Sequence, residues 1–187
     1  MRFRKNLSRL GSILAYEMSK RLNYSNREIQ TPLSKTSQPA LNEQPVLISI
    51  MRAAMPFFEG IQTSFDHADC GFVGAYRARE FAESNKIESD YFAVPNLEGK
   101  TVVLIDPMLA SGRSIVTTIE KLKPYGKPKE IVLMALIAAP EGIKYIEENV
   151  GKDLSLWCIA VDEKLNDKAY IVPGLGDAGD LAYGVKM

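Results

Sequence analysis

"TVVLID", Thr101 to Asp106, is an apolar run that ends on a carboxylate, and "PMLASGRS", Pro107 to Ser114, carries the chain on through small residues. A run with no polar break suits a strand covered on both faces, as in a parallel sheet. After it, Ile115, Ile119 and Leu122 fall on one helical face, and the stripe stops before Pro124 and Gly126. Strand, tight loop and helix in that order make a phosphate cradle, because the first N–H groups of a helix have no intrahelical partner. Gly112 permits close approach and unusual dihedrals, and Ser111 and Ser114 add hydroxyl donors. The loop lacks the Gly-Lys-Ser/Thr ending of a nucleotide triphosphate loop and the glycine spacing of a dinucleotide fingerprint. Asp106, at the carboxyl end of the strand, is placed to bond sugar hydroxyls. The plainer alternative is that the serines cap the helix and Asp106 decorates a turn.

The pattern repeats on both sides of this unit. "VLISI" (Val46–Ile50) and "CGFVGAY" (Cys70–Tyr76) read as strands before it. "EIVLMALIAA" (Glu130–Ala139) and "LSLWCIAVD" (Leu154–Asp162) read as strands after it. Between those two lies "PEGIKYIEENVG", with Pro140 at the start and Gly151 past the end of a short helix. The alternation predicts an α/β fold: a central, mostly parallel sheet with helices on both faces. Leu7, Leu10, Leu14 and Met18 predict an amphipathic helix over Arg4–Lys20. "QTPLSKTSQPALNEQP" reads as a loop or irregular arm. The polar stretch from Arg77 to Pro95 is long for a loop and predicts a flexible flap or hairpin over a site. A length of 187 residues fits one domain: an N-terminal helix and arm over about 1–45, a core over about 46–162, and a C-terminal segment over about 163–187.

Charge excludes some roles. Lys+Arg and Asp+Glu both number 23, so there is no global pull towards nucleic acid or an anionic membrane. Cys70, Cys158 and His67 form no zinc pattern, and the cysteines read as small buried hydrophobes. No apolar run spans a bilayer, and the basic start "MRFRKNLSRLG" lacks the apolar core of a secretory signal. A cytoplasmic protein is expected.

Two more groupings bear on chemistry. Arg52 follows "VLISIM" and Arg77 follows "GFVGAY", so both belong at the sheet edge that carries Asp106, where ligands of open α/β sheets bind. Two guanidinium groups there suit a pyrophosphate, although each alone suits a surface ion pair. "YIVPGLGDAGD", Tyr170 to Asp180, packs three glycines and two aspartates into a segment that cannot be a regular helix. It reads as a tightly turned loop anchored by Tyr170, Ile171 and Val172, whose crowded carboxylates call for a cation or polar ligand.

Together these residues resemble the uracil phosphoribosyltransferase family. "DPMLASGRS", "AAPEGI" and above all "YIVPGLGDAGD" carry the likeness, with weaker support from "FRKNLSRLGSILAYEMSK" and "QTPL". Pro107 stands where other phosphoribosyltransferases have a second acid. The resemblance implies a phosphoribosyltransferase-like fold with a C-terminal base-binding hood. It also implies transfer of phosphoribose from phosphoribosyl pyrophosphate to uracil, giving UMP. The run Asp106, Pro107, Met108, Leu109, Ala110, Ser111, Gly112, Arg113 and Ser114 would then hold the donor's ribose and 5-phosphate. Arg52 and Arg77 would hold its pyrophosphate. Ile171, Gly176, Asp177 and Ala178 would hold uracil largely through backbone groups, and Asp177 would also reach the donor. Asp106, Arg52, Arg77 and Asp177 would be the catalytic groups. Magnesium would be held through substrate and water, with no direct protein cage. A homodimer or higher homo-oligomer is implied, with no nucleic-acid or membrane partner. The family carries further residues ahead of the position of Phe3.

The chain departs from the family at several points. Arg113 stands at a glycine position and Ala54 at another. Leu181 replaces a basic residue, and Ala78 and Arg79 replace a polar-acidic pair. These departures favour one other reading, a non-catalytic or regulatory nucleotide-binding protein on the same fold; a second, an enzyme for another base, is opposed by Pro107 and the uracil-type loop.

Overall fold

The computed structural model describes residues 2–77, 87–151 and 154–185, with the side chains of 75–77 and 87–90 outside the description. Helix α1 (Arg2–Ser19) precedes strands β1 (Tyr24–Gln30) and β2 (Lys35–Leu41). Next come β3 (Val46–Met51), α2 (Met55–Gln62), β4 (Cys70–Arg77), β5 (Ile87–Ala93) and β6 (Thr101–Ile105). After a brief β7 (Met108–Leu109) come α3 (Arg113–Leu122), β8 (Glu130–Ala138), α4 (Pro140–Val150) and β9 (Leu154–Val161). Short strands β10 (Lys164–Leu165) and β11 (Ile171–Val172) lead to α5 (Ala178–Tyr183).

The main sheet runs β5-β4-β3-β6-β8-β9, with β7 continuing the line of β6 along β8. Every pairing is parallel except β4 with β5. Side chains alternate across such a sheet, and both faces are apolar. Val46, Ile48, Val102, Leu104, Leu133 and Ala135 enter one core with Ile115, Ile119 and Leu122 of α3 and Ile146 of α4. Leu47, Val103, Ile105, Val132 and Met134 enter the other with Leu7, Leu14 and Met18 of α1 and Phe57 and Ile61 of α2. Covering both faces is what makes these strands read as unbroken apolar runs.

Three expectations are corrected. The segment read as an irregular arm is half of a regular hairpin, β1 against β2, in register from Tyr24↔Leu41 to Gln30↔Lys35. All of β1 is exposed, so no one-sided apolar pattern marks it. Pro39 is tolerated because the bonds at Thr31/Ser34 and Asn23/Asn42 place Pro39↔Asn26 at a non-hydrogen-bonded pair. Second, Tyr170 is exposed and does not anchor the C-terminal loop, a task left to buried Ile171. Third, "YIVPGLGDAGD" is not loop throughout: Ala178, Gly179 and Asp180 open α5. The stretch from Arg77 to Pro95 does contain a hairpin base, β4 with β5, while 78–86, including Ala78 and Arg79, lie outside the described residues. Cys70 and Cys158 are free and half-buried, and burial pushes both thiols up.

Candidate active site

Parallel pairing brings the carboxyl ends of β3, β4 and β6 to one edge. Asp106 leaves the end of β6 there. Its side chain keeps some surface, yet enough protein surrounds the carboxyl that desolvation pushes its pKa up to about 6, against the pull of a 3.1 Å bond from the Met108 N–H. The chain does not break away after Asp106. The Pro107 carbonyl accepts from the Leu136 and Ile137 N–H groups, and Leu109 accepts from Ala139. Pro107 and Leu109 are buried, so their side chains and carbonyls serve the sheet and core. The open part of the cradle is therefore Ala110 to Ser114. Gly112 stands at the N-cap of α3 with φ 75°, and no side-chain hydrogen bond caps that helix. The capping alternative for Ser111 and Ser114 is thus not what the geometry gives. Arg113 is exposed on the first turn.

The cradle has a buttress that sequence reasoning missed. Gly142, in the first turn of α4, lies so close to the loop that a Cβ there would stand 2.1 Å from the Ala110 carbonyl oxygen and 3.1 Å from that of Leu109. A Cβ on Gly112 would in turn meet the Gly142 oxygen at 2.9 Å. Backbone thus packs on backbone, and "AAPEGI" has a mechanical role. The available signal was a glycine inside a helix, where it is unfavourable by about 1 kcal/mol relative to alanine.

The C-terminal segment returns to the same edge. Asp162, after β9, accepts from the Gly174 N–H at 2.9 Å, and Glu141 of α4 accepts from the Leu165 N–H at 2.9 Å. Gly176 (φ 79°) and Asp177 are exposed, while Ile171 and Ala178 are buried. The two crowded carboxylates have separate tasks. Asp177 Oδ1 caps α5 by accepting from the Asp180 N–H at 2.9 Å, and Asp180 Oδ1 accepts from Arg52 Nη2 at 2.7 Å. The same Nη2 donates to the Gly184 carbonyl at 3.0 Å. The cation that the paired aspartates called for is therefore, for Asp180, Arg52. Arg77 ends β4, with its side chain outside the described residues. Ala54 is wholly buried ahead of α2, and Leu181 is half exposed.

A mostly parallel sheet with an acid-ended strand, an uncapped helix N-terminus and a C-terminal segment returning to its carboxyl edge is the arrangement of a phosphoribosyltransferase fold. The family profile described as "Uracil phosphoribosyltransferase" matches residues 1–185. A uracil phosphoribosyltransferase of Porphyromonas gingivalis is 37% identical over 187 residues, covering 100% of this chain and 87% of its own. One from Malacoplasma penetrans is 42% identical over 186 residues, covering 99% and 88%. A solved protein of Aquifex aeolicus superposes with a TM-score of 0.88 at 37% identity, over 98% of this chain and 86% of that one. A hypoxanthine phosphoribosyltransferase of Staphylococcus aureus shares the fold with a TM-score of 0.52 at 15% identity, over 88% and 75%. The chain belongs to the uracil phosphoribosyltransferase family.

Proposed function

We propose that the protein catalyses the reaction for which its family is named, joining uracil to the ribose of phosphoribosyl pyrophosphate to give UMP and pyrophosphate. The observation that carries this beyond family membership is the Arg52–Asp180 ion pair, 2.7 Å, which ties the hood to the sheet edge bearing the phosphate cradle. The 5-phosphate sits on the N–H groups and hydroxyls from Ala110 to Ser114. Asp106 accepts from the ribose hydroxyls. Arg52 and Arg77 take the pyrophosphate. Uracil is held by backbone groups of Ile171, Gly176, Asp177 and Ala178.

In the reaction N1 of uracil forms a bond to the anomeric carbon as the bond to pyrophosphate breaks, and the N1 proton passes to the departing pyrophosphate or to water. The transition state carries positive charge on the ribose and negative charge on the leaving group, so no nucleophilic side chain is needed. Positioning and the arginine charges supply the catalysis. Among the described residues no three His, Cys, Asp or Glu side chains gather as a metal site. The carboxylate of exposed Asp177, with one oxygen not used by the α5 cap, fits a hydrated magnesium held by the donor's own oxygens. Magnesium there would neutralise leaving charge. No helix among the described residues is long and apolar enough to cross a membrane. The reading includes a cytoplasmic location and a homodimer or larger homo-oligomer.

Pyrophosphate release should require uracil, with cytosine, orotate and hypoxanthine poor substitutes. Paired backbone donors and acceptors reject a mismatched base edge strongly. Comparable turnover with orotate or hypoxanthine would remove the uracil assignment.

Arg113 is expected to restore positive charge where Leu181 has lost it. It lies between Ser111 and Ser114, and its guanidinium can add a charge-assisted contact of about 1.5–3 kcal/mol. Arg113→Gly should therefore weaken donor binding by roughly tenfold, and less so at high salt. Unchanged affinity at both salt concentrations would make Arg113 a tolerated surface substitution.

A further inference from the structure

Asp180 has no part in the chemistry set out above, yet it holds the arginine assigned to the leaving group. Arg52 Nη2 lies between Asp180 Oδ1 at 2.7 Å and the Gly184 carbonyl at 3.0 Å, one near each end of α5. Its Nε is buried and has no hydrogen-bond partner. A Cβ on Gly179 would stand 3.5 Å from that Nε, 3.7 Å from Ala53 Cβ and 3.1 Å from Asp177 Oδ1. The hood helix is thus seated directly on the residues that follow β3.

We propose that Asp180 is a positioning residue for donor binding: it fixes the Arg52 guanidinium before the donor arrives and makes the hood and the β3–α2 connection, Arg52 to Ala54, one unit. The proposal rests on the reading of Arg52 as a pyrophosphate ligand. An arginine free to rotate loses side-chain entropy when it grips a phosphate, and prior ordering removes that loss. Repulsion between Asp180 and the donor opposes this gain. Ordering prevails because the Asp180 charge is already compensated by Arg52. Both hydrogens of Nη2 are engaged, which leaves Nη1 to meet the ligand. The Asp180 N–H, not its side chain, receives the Asp177 cap, so uracil binding should be indifferent to the Asp180 carboxylate.

The test measures binding of magnesium phosphoribosyl pyrophosphate by calorimetry, and KM for each substrate, in the wild type, Asp180→Asn, Asp180→Glu and Arg52→Lys. Asp180→Asn should raise the donor Kd and KM about five- to tenfold and leave the uracil KM within twofold, and Asp180→Glu should recover most of the loss. An unchanged donor Kd in Asp180→Asn overturns the proposal. A tighter donor Kd overturns it too, by showing that Asp180 competes with pyrophosphate for Arg52. An equal rise in both KM values would mean that the hood as a whole had been lost, and also overturns it. If Asp180→Asn does not fold, Asp180→Ser, too short to reach Arg52, is read by the same criteria. A wild type that binds the donor but makes no UMP sinks the proposed reaction and leaves the role of Asp180 to the Kd comparison, whereas an Arg52→Lys variant with wild-type donor affinity removes Arg52 from the pyrophosphate and overturns the role of Asp180 with it.

Discussion

Asp106→Asn should lower kcat/KM for the donor by about 100- to 10,000-fold while leaving the fold intact and more stable at neutral pH. The loss follows from two ribose hydroxyls that no longer meet a charged acceptor, at about 1.5–3 kcal/mol for each such bond. The gain follows from the direction of the pKa shift. Burial raises the folded-state value from 3.8 to about 6, so between those values the folded chain binds a proton more tightly than the unfolded one. Native stability therefore falls as pH rises through that window and stays reduced above it. Asparagine keeps an oxygen for the Met108 N–H and removes the desolvated charge. Melting curves should coincide near pH 4 and separate at pH 7, where the variant gains of order 1–3 kcal/mol, a few degrees in Tm. The same shift predicts that wild-type kcat/KM for the donor declines as pH falls through about 6, because the acceptor becomes protonated. A Tm that collapses together with activity would make Asp106 structural instead.

Gly142→Ala should be nearly as damaging, although Gly142 touches no substrate. Its new Cβ would stand 2.1 Å from the Ala110 oxygen and 3.0 Å from the Ala110 carbonyl carbon. Both sides of that contact are backbone, so either α4 or the phosphate loop must move. Displacing a positioning loop by about 1 Å can cost roughly 100-fold in rate, and overpacking of this kind costs about 1–3 kcal/mol of stability. The expected result is a donor kcat/KM down about 100-fold with a lower Tm. Wild-type donor kinetics and an unchanged Tm would show that the loop yields without consequence.

The sheet was legible because both of its faces are buried. Val46–Ile50, Val102–Ile105 and Ile131–Ala139 are apolar but for Ser49, and α3 announces itself through Ile115, Ile119 and Leu122. The β1–β2 hairpin was not legible, since exposure on both faces leaves no period-two pattern. Helix α5 was hidden by its length of six residues and by the glycines and aspartates at its start. In the site, Asp106 could be placed from its position at a strand end. The Arg52–Asp180 pair could not, because 128 residues separate the partners and no spacing rule links them. Gly142 lay inside a stretch already noted as family-like, but steric closeness between two backbones leaves no mark on a single sequence beyond an ill-placed glycine.

The central claim is tested most directly by incubating the protein with magnesium, phosphoribosyl pyrophosphate and labelled uracil, and identifying the product. The account predicts labelled UMP and pyrophosphate in equal amounts, with none formed when the donor is omitted. No UMP from a folded protein that binds the donor would contradict it.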